Sequence, residues 1–192
     1  MSPHAPPVAP SGKPSTLING NLMNTTRTLA LFVLSVISLN THAENNIDPV
    51  YTNNVITGDN NTATATPGCC SGYSLDIYGK GNNLNSAYAV IVGDTNDVTD
   101  SDVSILGQSN TTKGGYGNVI GDVNNVTVNG TQFFNVVGNG STINGDNNNI
   151  FGSKSTVTGN NATITGNSNT VTGSHTSVLG GGNTSTGDFN NI

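Results

Sequence analysis

The chain has 192 residues, 25 glycines, no tryptophan and only 8% charged residues. It holds too little bulky apolar volume for a two-layer globule around one large core, and too little charge for an ordinary disordered chain. An ordered internal repeat is the architecture left to look for.

Residues 1–22 are Pro/Ser-rich and unpatterned, and we read them as an extension ahead of a true start at Met23. Met23-Asn-Thr-Thr-Arg27 is a short basic segment, Leu29 to Leu39 is an apolar run of secretory length, and Thr41-His42-Ala43 offers a peptidase site. Residues 23–43 therefore read as a bacterial signal peptide, which places the chain outside the cytoplasm, on the cell surface or secreted. The apolar run falls short of the about 20 residues a bilayer span needs. Residues 44–55 read as a linker.

Beyond Ala43 there is no arginine. Lys80, Lys113 and Lys154 stand against Glu44 and ten aspartates, three cations to eleven anions, for a net charge of −8. Nucleic acid and anionic membrane surfaces are poor partners for such a chain, because both are held by Lys and Arg.

From Asn135 the sequence reads in sevens: VVGNGST, INGDNNN, IFGSKST, VTGNNAT, ITGNSNT, VTGSHTS, VLGGGNT, STGDFNN. Each unit is apolar-x-Gly followed by four polar or small residues. The frame runs back from Val126 through Ile105, Ile91 and Ile77 to Cys70, Ala63 and Ile56, with one break of three residues after Val126. Of 20 slots, 16 hold Ile, Val or Leu, so the pattern extends over residues 56–192. A coiled coil would need two apolar seam positions per heptad, and a glycine in every unit costs a helix about 1 kcal/mol each. The units fit a three-residue strand, x-apolar-x, with its middle side chain inward, then a Gly-led turn.

Residues just after the inward slot alternate in character. One series is Tyr78, Val92, Leu106, Ile120, Val137, Phe151, Thr165, Leu179; the other is Asn85, Thr99, Lys113, Thr127, Asn144, Thr158, Thr172, Thr186. The true period is therefore fourteen. The fold class is all-β, a parallel β-roll or β-solenoid with two short strands per coil, and residues 56–192 give about ten coils, roughly 45–50 Å tall. Ile77, Ile91, Ile105, Val119, Val136, Ile150, Ile164 and Val178 form the expected inward core on one side of the coil. Two inward side chains per coil, worth about 1.5–3 kcal/mol each, make a thin core. The apolar series Tyr78, Val92, Leu106, Ile120, Val137, Phe151 and Leu179 is accordingly expected to pack against copies of itself as a homotrimer.

Cys70 falls on an inward slot as a small buried thiol, with Cys69 outward; after export, a vicinal or intersubunit disulfide is the alternative. His175 has no His or Cys near it in sequence, and the acidic turn residues Asp94, Asp97, Asp100 and Asp102 lack the Gly-Gly-x-Gly-x-Asp calcium repeat. No metal site, cofactor or catalytic constellation is expected, and enzymatic activity is not.

Ala89-Val-Ile-Val-Gly93, Ser104-Ile-Leu-Gly107, Asn118-Val-Ile-Gly121 and Ser177-Val-Leu-Gly180, each answered seven residues later by apolar-x-Gly or a variant of it, resemble the head repeats of trimeric autotransporter adhesins of the YadA-like, haemagglutinin-type kind. The resemblance covers about residues 56–192. It implies a left-handed parallel β-roll that trimerises, is displayed outside a Gram-negative cell, and binds host matrix, cells or other surfaces in virulence. This chain has Ile and Val where those heads favour Ala. It carries no coiled-coil stalk or outer-membrane anchor strands, and it stops at Ile192 in mid-repeat, as a truncated frame or a differently anchored protein would.

Two rivals follow from the residues alone. Thr156-Val-Thr158, Thr170-Val-Thr172 and Thr184-Ser-Thr186 are the rows an ice-binding solenoid would show. A passive secreted matrix or surface scaffold would share every feature of the adhesin except a specific ligand.

Overall fold

The computed structural model describes residues 44–52, 54–65, 74–85 and 88–192. The extension, the signal segment, Cys69 and Cys70 lie outside the described residues.

Among the described residues the chain forms strands and turns only, wound as a parallel β-solenoid of about nine coils, each with two strands. One sheet takes the odd strands: β1 (Asn46–Ile47), β3 (Thr62–Thr64), β5 (Asn83–Asn85), β7 (Asp97–Thr99), β9 (Thr111–Lys113), β11 (Asn125–Thr127), β13 (Thr142–Asn144), β15 (Thr156–Thr158), β17 (Thr170–Thr172) and β19 (Thr184–Thr186). The other takes the even strands: β2 (Val55–Thr57), β4 (Leu75–Tyr78), β6 (Tyr88–Val92), β8 (Asp102–Leu106), β10 (Tyr116–Ile120), β12 (Phe133–Val137), β14 (Asn148–Phe151), β16 (Thr163–Thr165) and β18 (Ser177–Leu179). Every neighbouring pair is parallel, as strands reached once per turn of a helix-like winding must be.

Fourteen residues separate register partners through most of the stack, as in Ile91 with Ile105 and Val157 with Val171. Three steps are longer, the first being the sixteen residues from Ile47 to Ala63. Val119 pairs with Val136 and Val126 with Ile143, so the three extra residues sit in the turn between β11 and β12 and leave both sheets in frame. Ile56 pairs with Ile77 and Ala63 with Leu84, a step of twenty-one. The seven-residue frame stays in phase across that step but the fourteen-residue one does not: Ile56 belongs to the even sheet with Ile77 rather than to the odd sheet with Leu84. The solenoid also starts earlier than the pattern suggests. Within the segment expected to be a linker, β1 pairs with β3 and Tyr51 is buried.

The inward slots are filled as the pattern requires. Ile77, Ile91, Ile105, Val119, Val136, Ile150, Ile164 and Val178 are all buried, and so are the atypical Ala63, Thr112 and Ser185. The core is nevertheless twice as wide as one side chain per strand. The residue two positions before each slot also faces inward. In the even sheet it is Leu75, Ala89, Val103 and Phe134, then Asn148, Ala162 and Thr176, all buried. This lengthens β6, β8, β10 and β12 to five residues where three were expected. In the odd sheet it is an asparagine in most coils.

Those asparagines are buried, not solvated turn formers. Asn96 donates through its backbone N–H and its Nδ2 to Oδ1 of Asn82 in the preceding coil, at 3.0 Å each, and through Nδ2 to the Gly107 carbonyl at 2.9 Å. Asn61, Asn82, Asn110 and Asn124 repeat the arrangement. Each amide satisfies four polar groups that would otherwise be stranded in the interior, at about 1–3 kcal/mol for each group left unmade. Ser141 and Ser155 take the same rung with a single longer bond, Ser155 N–H to Ser141 Oγ at 3.3 Å.

The turns are stacked with equal strictness. Gly93 has φ 142° and Gly107 φ 147°, and a Cβ on Gly93 would lie 1.9 Å from the Gly107 carbonyl oxygen. Two residues on, Thr95, Ser109 and Val123 hold φ near 60°, a conformation that costs a side-chain-bearing residue about 1–2 kcal/mol. Their N–H groups donate to the previous coil at 2.9–3.0 Å, which offsets that cost.

Candidate functional site

The candidate sites among the described residues are the outer faces of the two sheets. Alternation along a strand sends the residues flanking each inward slot outward, and the parallel register lines them up in columns one strand apart.

On the even sheet, Tyr78, Val92, Leu106, Ile120, Val137 and Phe151 occupy consecutive rungs of one column. All but Val137 are 43–54% exposed, and Val137 is half-buried. Six rungs at the spacing of parallel strands make an unbroken apolar stripe about 24 Å long. Thr165 interrupts it, and Leu179, 76% exposed, resumes it on the next strand. All seven residues expected at an interface between copies thus lie on one face in one column.

The face carries more apolar surface than that column. Val55 and Val90 are exposed on it, and Tyr88, Tyr116 and Phe133 stand at the start of the five-residue strands, in a column completed by Asp102. A groove of about 510 Å³ runs beside these rings. The aromatics fall outside the apolar-x-Gly frame, so the seven-residue pattern does not mark them. The paired Phe133-Phe134 beside the insertion was the one available signal, and the two rings part company: Phe134 is buried in the core and Phe133 is exposed.

On the odd sheet the outward columns are polar. Thr142, Thr156, Thr170 and Thr184 share one column, with Asn144, Thr158, Thr172 and Thr186 in the next. Nearer the N-terminus the same positions hold Asn83, Asp97 and Lys113, so the threonine array covers only the last four coils of the sheet.

Of the polar residues singled out from the sequence, Asp94, Asp97 and His175 have side-chain partners. The Asp94 carboxylate accepts from the Lys80 N–H at 2.7 Å, and Asp97 accepts from Asn83 Nδ2 at 3.2 Å. Asp122 and Asn139 bind the turn of the preceding coil in the same way as Asp94. Asp94, Asp122 and Asn139 thus cap stacked turns, whereas Asp97 pairs with its neighbour on the adjacent strand. His175 is exposed in a turn with its ring stacked on Phe189, centroids 4.7 Å apart and planes 13° from parallel. Among the described residues no three His, Cys, Asp or Glu side chains converge as metal ligands.

Comparison with known protein families, curated proteins and solved structures gives no match.

Proposed function

We propose that this chain is the head of a bacterial cell-surface adhesin, exported by residues 23–43, that self-associates as a trimer along its apolar stripe and attaches the cell to host matrix, cells or other surfaces. The observation that carries the reading is the unbroken column from Tyr78 to Phe151, half in solvent on an otherwise well-filled solenoid. Contiguous apolar patches on soluble proteins mark interaction surfaces, and a column of identical pitch on each copy lets coils pair rung for rung about a common axis. The regular turns, with no converged His, Cys, Asp or Glu cluster among the described residues, favour a display structure over an enzyme. Analytical ultracentrifugation of the chain from Glu44 onward, paired with attachment to matrix-coated and bare surfaces, tests it. A trimer at micromolar concentration with ligand-dependent attachment is expected. A monomer that attaches to nothing sinks the reading, and a trimer that attaches to nothing is the passive scaffold.

One observation favours a second reading. The threonine columns of β13, β15, β17 and β19 form a regular two-dimensional array of hydroxyls on an exposed sheet, the kind of surface that could order water as ice. Thermal hysteresis that disappears on Thr170→Leu supports ice binding; no hysteresis removes it.

A further inference from the structure

The aromatic groove on the even sheet is not accounted for by self-association. Its rings lie at the first position of each five-residue strand, four residues before the apolar stripe, which places the two columns about 13 Å apart along the strand. Tyr116 and Phe133 are neighbours on adjacent strands, with centroids 5.8 Å apart and planes tilted by 38°. They are 37% and 65% exposed, so each offers an open ring surface.

Two residues along each strand, on the same face as the rings, runs a row of polar side chains one coil apart: Ser104, Asn118 and Asn135. Asn118 Nδ2 donates to Asn135 Oδ1 and Asn135 Nδ2 to Asn149 Oδ1, both at 2.9 Å. An amide NH2 carries two donors, and this ladder uses one from each, so a fixed row of N–H groups remains. Asp102 interrupts the aromatic column and adds a carboxylate acceptor. Among the described residues, the side chains around the groove include Asp76 and Asp102 and no cation.

We propose that this groove binds a neutral oligosaccharide, with a sugar ring laid against Tyr116 and Phe133 and its hydroxyls bonded to Asp102, Ser104, Asn118 and Asn135. The proposal deepens the adhesive reading, on which it rests, by giving the head a ligand class. Three properties of the groove select that class. An aromatic face attracts the weakly polarised C–H groups on one side of a pyranose while the ring edge stays wet. Alternating donors and acceptors along the polar row suit hydroxyls, which both donate and accept. The carboxylates, unopposed by Lys, Arg or His, repel phosphate, sulfate and uronate. The polar row also repeats at the strand spacing, close to the length of one sugar unit in an extended chain, so successive units can meet equivalent coils.

Calorimetric titration of the chain from Glu44 onward with linear oligomers of glucose, galactose and N-acetylglucosamine, and with sulfated and uronate oligomers as controls, tests this. Binding of at least one neutral series is expected, weakened about tenfold by Phe133→Ala or Tyr116→Ala, in line with the worth of one aromatic contact. Asp102→Asn should weaken the neutral ligand and relax the exclusion of anionic ones. Thr170→Leu, on the other sheet, should change nothing. Both aromatic positions are solvent-exposed, and an unaltered unfolding midpoint checks that each variant is folded. The proposal is overturned if no neutral oligomer binds, if the anionic oligomers bind better, or if the aromatic variants bind as well as the parent. Self-association and surface attachment are measured without sugar. A chain that trimerises and attaches but takes up no oligomer therefore fails this inference alone, whereas a monomer that attaches to nothing fails the adhesive reading.

Discussion

The Oδ1 of Asn96 accepts two hydrogen bonds from Asn110 in the next coil, from its backbone N–H at 3.0 Å and its Nδ2 at 3.1 Å. Asn96→Leu keeps the branched shape but removes the acceptor, and it also takes from the Gly107 carbonyl its side-chain donor and from Asn82 Oδ1 one of its two donors, the backbone N–H remaining. With each buried unmet group costing about 1–3 kcal/mol, a loss of about 3 kcal/mol or more is expected. Asn96→Ser should cost less, since Ser141 and Ser155 hold the same rung. The urea midpoints of the two variants check the order.

Two glycines separate the cost of close stacking from the cost of backbone conformation. A Cβ on Gly107 would lie 2.0 Å from the Gly121 carbonyl oxygen, whereas one on Gly182, at φ 72°, would meet nothing within 4 Å. Gly182→Ala is expected to cost about 1–2 kcal/mol, the price of a left-handed alanine. Gly107→Ala must push two coils apart and should cost about 3 kcal/mol or more. Thermal unfolding of the pair distinguishes them.

Thr112 occupies an inward slot, is 1% exposed, and its Oγ1 has no hydrogen-bond partner. Thr112→Val removes a stranded hydroxyl without changing shape, so it is expected to stabilise by about 1 kcal/mol. Thr176, whose Oγ1 is likewise unpartnered, should respond in the same direction. A rise in the denaturation midpoint is the readout; a fall would mean that the hydroxyls do find a partner.

Leu106 and Ile120 sit side by side at the middle of the apolar stripe, each about half exposed. Leu106→Asp with Ile120→Asp should abolish self-association while leaving the unfolding midpoint of the monomer nearly unchanged, because surface substitutions usually fall within about 0.5 kcal/mol. Thr156→Asp with Thr170→Asp on the other sheet should leave assembly intact. Sedimentation velocity compares them.

The inward slots, the fourteen-residue coil and the apolar stripe were legible because each depends on one residue type at one position. A β-branched slot every seven residues leaves few ways to wind the chain, and the character of its outward neighbour separates the two sheets. Asn82, Asn96 and Asn110 were legible only as turn residues. An asparagine in a wet turn and one in a buried ladder look alike in sequence, because the difference lies in partners fourteen residues or more away. The five-residue strands hid for a related reason. Ala89, Val103, Gly117 and Phe134 share a column but differ so much in size that no periodic signal survives. Their sizes compensate across coils: a Cβ on Gly117 would lie 2.7 Å from Cδ2 of Phe134, so the large ring takes the space its neighbour leaves. The step from Ile56 to Ile77 escaped because it equals three repeat units, which preserves the seven-residue phase while exchanging the sheets.

The amide ladder has a direction. From Asn61 to Asn124 every rung donates toward the coil before it and offers its oxygen to the coil after it. A chain emerging N-terminus first therefore presents, at each stage, a finished row ending in a bare acceptor, and the next asparagine to arrive carries the two donors that fit it. Aligned amides polarise one another, so each added rung strengthens the socket that receives its successor. A ladder of this polarity suits vectorial winding, in which the coil just completed is the template for the one that follows.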